Sequence, residues 1–177
     1  MVESKKGVTM KAIILIFTFL SAVFASPPEE FDRDLYNAGE KIFENKCTSC
    51  HEKSMNIGLL MKNFIDEDNK LLNLKAPTGN EISYRLKSQI GSKDDIEFQL
   101  EETADFLVDY LYYPDKSKTI CLEGVIRHFD TMPSMKGKIS EEDIRIVNHF
   151  LYFLEGWNGI NKYFHKVELE FEEEEKE

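Results

Sequence analysis

Residues 39–51 read Gly39-Glu40-Lys41-Ile42-Phe43-Glu44-Asn45-Lys46-Cys47-Thr48-Ser49-Cys50-His51. The first eight continue a helical face that starts near Glu29. Along it Phe31, Leu35, Ala38, Ile42 and Phe43 recur mostly at spacings of three and four. The last five form C-x-x-C-H, the attachment signature of c-type haem. Two residues between the cysteines let both sulfurs reach the two vinyl groups on one edge of the macrocycle. The histidine directly after Cys50 then lies below the ring with a nitrogen aimed at the iron. Two other readings compete for a bare C-x-x-C. A thioredoxin-like redox pair wants a βαβ context, and a zinc site wants a second cysteine pair. The sequence offers helical patterns around the motif and no second pair.

One such motif implies one haem, whose iron needs a sixth ligand or an open site. Met132, in Phe129-Asp130-Thr131-Met132-Pro133, is the leading candidate. A thioether is a soft ligand that favours ferrous iron and raises the reduction potential, and Pro133 stiffens its loop. Met55, Met61 and Met135 are the other methionines near the motif or the loop. His128, His149 and His165 offer a bis-histidine alternative, with His149 read as a packed or rim residue and His128 as a near-surface one.

Further helices follow from periodicity. Ile82, Leu86 and Ile90 make a short stripe over 80–90. Ile96, Leu100, Ala104, Leu107, Val108 and Leu111 make a longer one over 94–113, stopped by Pro114. A helix is expected over 117–129 from Ile120, Val125 and Phe129. Ser140, followed by Glu141, Glu142 and Asp143, caps a last helix running to about Leu154, with Gly156 closing it. No stretch alternates with period two, so an all-α fold is expected.

The chain's 177 residues carry 33 acidic against 22 basic side chains, a net charge of −11, and hydrophobic residues make up 42%. That supports a packed core in one domain. The acidity argues against nucleic acid, whose phosphates need clustered Lys and Arg. Residues 1–25 have the three parts of a secretory signal peptide. Lys5, Lys6 and Lys11 precede an apolar run of 14 residues, and Val23-Phe24-Ala25 supplies the cleavage site. The run is shorter than the ~20 residues that span a bilayer, although an uncleaved anchor is an alternative, and Met10 could be the true start. Cleavage would leave 152 residues at −13, with no membrane span, in the periplasm. Pro27-Pro28 marks the start of the domain. Residues 168–177 hold seven Glu and one Lys and read as a solvated part of an acidic tail spanning 161–177.

The helix ending in Gly39–His51, the proline at Pro77, the Met132-Pro133 loop and the closing helix together resemble the class I (monohaem) c-type cytochrome family. The resemblance covers residues 31–51 and 129–154 well and 77–91 loosely. It implies an all-α, cytochrome c-like helical domain over 26–160 around one covalently bound haem, with insertions at about 52–76 and 92–120. It implies that Cys47 and Cys50 hold the haem, that His51 and Met132 ligate its iron, and that the Pro77 carbonyl accepts the His51 N–H. It also implies that Gly39 lets Phe150 approach closely, with Phe43 beside it.

The expected function is periplasmic transfer of single electrons between redox partners by a carrier that is not itself an enzyme. The net charge favours a partner with a basic docking face. The alternatives are a haem c subunit of a larger oxidoreductase, and a haem enzyme or sensor with an open sixth site. Cys121 is left over, read as a buried small hydrophobe or a thiol free to react or to bridge two chains. Tyr110, Tyr112, Tyr113 and Trp157 are read as packing residues near the haem or around the added helix.

Overall fold

The computed structural model describes residues 30–154. Residues 1–25, read as a signal peptide, Pro27-Pro28, Gly156, Trp157, His165 and residues 161–177, read as an acidic tail, lie outside the described residues. Within them the chain is all-α. Its helices are α1 (Arg33–Lys46), α2 (Ile57–Met61), α3 (Gly79–Gln89), α4 (Ile96–Tyr112), α5 (Glu123–Ile126) and α6 (Glu141–Phe153), and no strand forms among the described residues. A π-helical turn at Lys62–Asp66 extends α2, and a 3-10 turn at Lys116–Lys118 follows α4. No helix among the described residues is long and apolar enough to cross a membrane.

The helix ends follow from local chemistry. The Asp32 carboxylate accepts the backbone N–H groups of Asp34 and Leu35 at 2.8 and 2.9 Å and starts α1. Ser140 Oγ accepts the Asp143 N–H at 3.0 Å and starts α6, whose first turn holds Glu141, Glu142 and Asp143 against the positive end of the dipole.

The dominant packing joins α1 to α6 at Gly39. A Cβ added there would run into the carbonyl oxygen of Ile146 and lie 2.6 Å from Phe150 Cβ, so only glycine permits this approach. Phe150 is fully buried, with its ring 5.2 Å from Tyr36 and 5.5 Å from Phe43. Each such aromatic stabilises the fold by about 1.5–3 kcal/mol through burial. His149 ties the same helices at their far end: its Nε2 lies 3.1 Å from the Asp32 N–H and its ring stacks on Phe31.

Two apolar clusters result. The larger joins α1, α3, α4 and α6 through Phe43, Leu86, Leu107, Val147, Phe150 and Leu151. The smaller joins α2, the π-helical turn and α5 through Leu60, Phe64, Leu122, Val125 and Phe129.

Several expectations change. The helix expected over 117–129 is broken into the 3-10 turn and the single turn of α5. The Ile120 carbonyl accepts Arg85 Nε at 2.5 Å, which holds 119–122 extended and removes a helical acceptor. Residues 52–76, to which the periodicity assigned no helix, contain α2, capped by the Asn56 side chain on the Leu59 N–H at 3.2 Å. The segment 92–120 supplies α4, which packs directly on α6 in the main core, a place open to an addition that thickens the core. His128 is half-buried beside the exposed Asp68, in keeping with the near-surface reading. Its side chain is 9% exposed and stacks on Phe64, with Nδ1 3.6 Å from Asp68.

Candidate functional site

Helix α1 ends in the C-x-x-C-H motif, and the backbone there coils tightly. The Cys47 N–H donates to the Phe43 carbonyl at 2.8 Å, and the N–H groups of Cys50 and His51 both donate to the Cys47 carbonyl, at 3.1 and 2.9 Å. Thr48 Oγ1 donates back to the Glu44 carbonyl at 2.6 Å. This coil keeps Cys47, Cys50 and His51 at the end of one rigid helix. All three cysteines are free thiols. Burial, then the neighbouring Cys50, pushes the Cys47 thiol up to about 11.

The chain leaving the motif is clamped to the start of α3. The Gly79 N–H donates to the Glu52 carbonyl at 2.8 Å, and a Cβ at Gly79 would lie 2.5 Å from the Lys53 carbonyl oxygen. The Asn80 side chain grips the Met55 backbone at both ends, its Oδ1 accepting the N–H at 3.3 Å and its Nδ2 donating to the carbonyl at 3.0 Å. Glu81 Oε2 accepts the Thr78 N–H at 2.8 Å. Ala76-Pro77-Thr78 is thereby buried and fixed. His51 Nδ1 donates to the Pro77 carbonyl oxygen at 2.7 Å. Burial lowers the His51 pKa and this bond partly restores it.

The Met132 loop hangs from the end of α4. The Met135 N–H donates to the Leu111 carbonyl at 2.8 Å, Ser134 Oγ donates to the Tyr112 carbonyl at 2.7 Å, and the Tyr112 hydroxyl donates to the Ile139 carbonyl at 3.1 Å.

Between these elements lies a cavity of about 300 Å³, and Cys47, Cys50, His51, Pro77 and Met132 all line it. It sits between the two apolar clusters, with Phe43 and Leu151 from one and Phe129 from the other on its walls. Met55, Met61 and Met135 do not line it and pack in the clusters instead. His128 and His149 do not line it either. α4 turns Phe106, which the sequence reading missed, and Tyr110, which it placed near the haem or around the added helix, into the cavity beside Leu107 and Leu111. Their four-residue spacing was the available signal, hidden behind the stronger aliphatic stripe. Cys121 also lines the cavity rather than a packed interior, and burial, then the nearby Glu81 carboxylate, pushes its thiol up to about 11.

A bare ion has no cage here: among the described residues no three His, Cys, Asp or Glu side chains group to hold one. A planar apolar cofactor with a metal at its centre fits the donor set better. The donors are two free thiols and an imidazole on one element, a thioether on another, and mainly apolar side chains between.

No family model and no solved structure matches the chain. The chain is similar to an uncharacterized protein of Aquifex aeolicus (strain VF5), 26% identical over 149 residues that cover 82% of this chain and 93% of that protein. That likeness supports a common architecture over most of the chain and assigns no activity, so the chemistry must be read from the residues themselves.

Proposed function

We propose that the chain is an exported monohaem c-type cytochrome of class I type that carries single electrons between redox proteins. The observation that supports this best is the shared cavity, which gathers Cys47, Cys50, His51 and Met132 while the Pro77 carbonyl holds His51 by its Nδ1. Cys47 and Cys50 would hold the haem through thioethers, and His51 and Met132 would ligate its iron. When bound, the haem supplies a reversible ferric/ferrous couple.

The protein's own residues orient, exclude and tune. The Pro77 carbonyl fixes the His51 ring with Nε2 as its available nitrogen and makes it a more basic ligand. Phe43, Leu86, Phe106, Phe129 and Leu151 keep water from the cavity. A low dielectric with few titratable neighbours disfavours the more charged ferric state and raises the potential.

The deciding experiment is expression in a host that matures c-type haem. The purified chain should gain the mass of one covalent haem and show a low-spin ferric spectrum with a sulfur-to-iron band toward the red. A chain that matures without covalent haem would sink the proposal. A covalent but high-spin haem would favour the enzyme or sensor alternative.

A further inference from the structure

Helix α6 packs against both α1 and α4, and a second concavity, a groove of about 630 Å³, lies along it. Glu142, Arg145, Ile146 and His149, spaced three and four apart on α6, form one stripe of it. Leu100 and Ala104 of α4 and Leu35 of α1 supply apolar walls, and Leu35 is 41% exposed. No residue lines both this groove and the cavity of Cys47 and His51.

The groove carries surplus negative charge. Glu101 and Glu142 both line it and are exposed. Among the described residues neither pairs with a cation. The one guanidinium in the groove, Arg145, is held by Asp105 at 2.6 Å. His149 adds no positive charge at neutral pH, because burial lowers its pKa against the bond to Asp32.

Asn148 independently calls for a donor in the same place. It lines the groove, yet it is 2% exposed. Its Nδ2 donates to the Leu100 carbonyl at 3.0 Å, which fixes the amide orientation, and its Oδ1 accepts nothing. A buried acceptor left unpaired is costly, and a ligand N–H would remove that cost.

We infer that this groove binds a small aliphatic ammonium ion, drawn by Glu101 and Glu142, donating to Asn148 Oδ1 and covering Leu35 and Ile146 with its hydrocarbon. The volume is that of a small-molecule site. Exposed ion pairs are weak singly, so charge and hydrocarbon must act together. An anion would meet two carboxylates, and a neutral chain would leave both unused.

The test is a titration of the isotope-labelled mature holoprotein at neutral pH, followed by amide resonances. Hexylamine should shift the Leu35, Leu100, Ala104 and Ile146 amides and the Asn148 side-chain amide, with a dissociation constant of about 1 mM. Methylamine, which lacks the hydrocarbon, and hexanol, which lacks the charge, should each bind about tenfold more weakly. Hexanoate should leave these resonances in place. Glu101→Gln/Glu142→Gln keeps the size of both side chains and should weaken hexylamine about tenfold without changing hexanol. Asp66→Asn/Glu67→Gln makes the same charge change on exposed residues outside the groove and should stay within about twofold of the parent.

Hexanoate binding in the groove, equal losses in the two double variants, or hexylamine shifts spread over other acidic faces overturn the inference. A dimer that hexylamine dissociates, seen by sedimentation, also overturns it by giving the groove to a second copy. Binding that appears only after removal of residues 161–177 does so by giving the groove to the chain's own tail. Because the groove and the cavity share no lining residue, failure here leaves the electron-carrier reading standing. A chain without covalent haem that still binds hexylamine in the groove would do the reverse.

Discussion

His51 Nδ1 stands 2.7 Å from the carbonyl oxygen of Pro77, and a set of bonds flanking the two residues keeps it there. Glu52 is bonded to Gly79, Met55 to Asn80, and Thr78 to Glu81. Proline at 77 adds a fixed φ to the strut. Pro77→Gly keeps a carbonyl but frees the backbone, so the bond to His51 weakens and the imidazole becomes a less basic ligand. The holoprotein should keep its covalent haem while its reduction potential rises. Redox titration of the variant checks this, and an unchanged potential would remove Pro77 from the tuning role.

Met132 is the methionine that lines the cavity, while Met135 packs three residues away. Met132→Ala should abolish the sulfur-to-iron band and leave a high-spin or water-ligated ferric form. Met135→Ala should retain the band and lose stability instead, by about 2 kcal/mol as a part-buried methionine truncation. Optical spectra of the two variants distinguish the roles, and a band that survives Met132→Ala would reassign the ligand.

Gly39→Ala places a methyl group against the Ile146 carbonyl and 2.6 Å from Phe150 Cβ. Overpacking costs about 1–3 kcal/mol, and a clash with backbone puts this site at the upper end. Alanine recovers about 1 kcal/mol through helix propensity. The net loss should lower Tm by roughly 5–10 °C. Gly58→Ala in α2, whose Cβ would meet only the Asn56 side-chain oxygen at 3.3 Å, is the control and should lose no stability and gain up to about 1 kcal/mol through helix propensity.

The parts of this architecture written in local chemistry were readable in the sequence. The Ser140 cap and the stripe of α4 each depend on a few neighbouring residues, whereas the close approach at Gly39 came from the family resemblance and rests on Ile146 and Phe150. Apart from α2, which is capped locally by Asn56, the misreadings involve distant partners. Whether 119–122 is helix or extended depends on Arg85, 35 residues away, taking the Ile120 carbonyl. The cavity role of Phe106 was missed because α4 has two apolar faces, one toward α6 and one toward the cavity, and periodicity reports the stronger. Cys121 shows the same limit, because the side on which its extended segment lies is set by tertiary contacts.

Cys121 is the odd thiol, and its surroundings predict inertness. With its pKa pushed to about 11 by burial, roughly one chain in a thousand carries the thiolate at pH 8. The folded holoprotein should therefore react very slowly with iodoacetamide. After unfolding, one thiol per chain should titrate, because thioethers to haem would consume Cys47 and Cys50. A count of three would contradict covalent haem, and fast labelling in the folded state would contradict the buried position.

Glu81 supplies a pH dependence independent of the haem. Its side chain is 2% exposed, Oε2 caps α3 through the Thr78 N–H, and Oε1 has no hydrogen-bond partner. Burial raises its pKa from 4.5 to about 7, against the bonds from Thr78. Between those values the folded chain binds a proton that the unfolded chain has released. Stability from this group is thus fully present below about pH 4.5 and is lost as pH rises to 7, on the order of 3 kcal/mol at most. Glu81→Gln is neutral throughout, and its amide oxygen can still accept the Thr78 N–H. Urea unfolding at pH 5 and pH 8 should show the parent losing more stability across that interval than the variant does. Equal losses in the two proteins would mean that the Glu81 carboxyl ionises as easily in the folded chain as in the unfolded one.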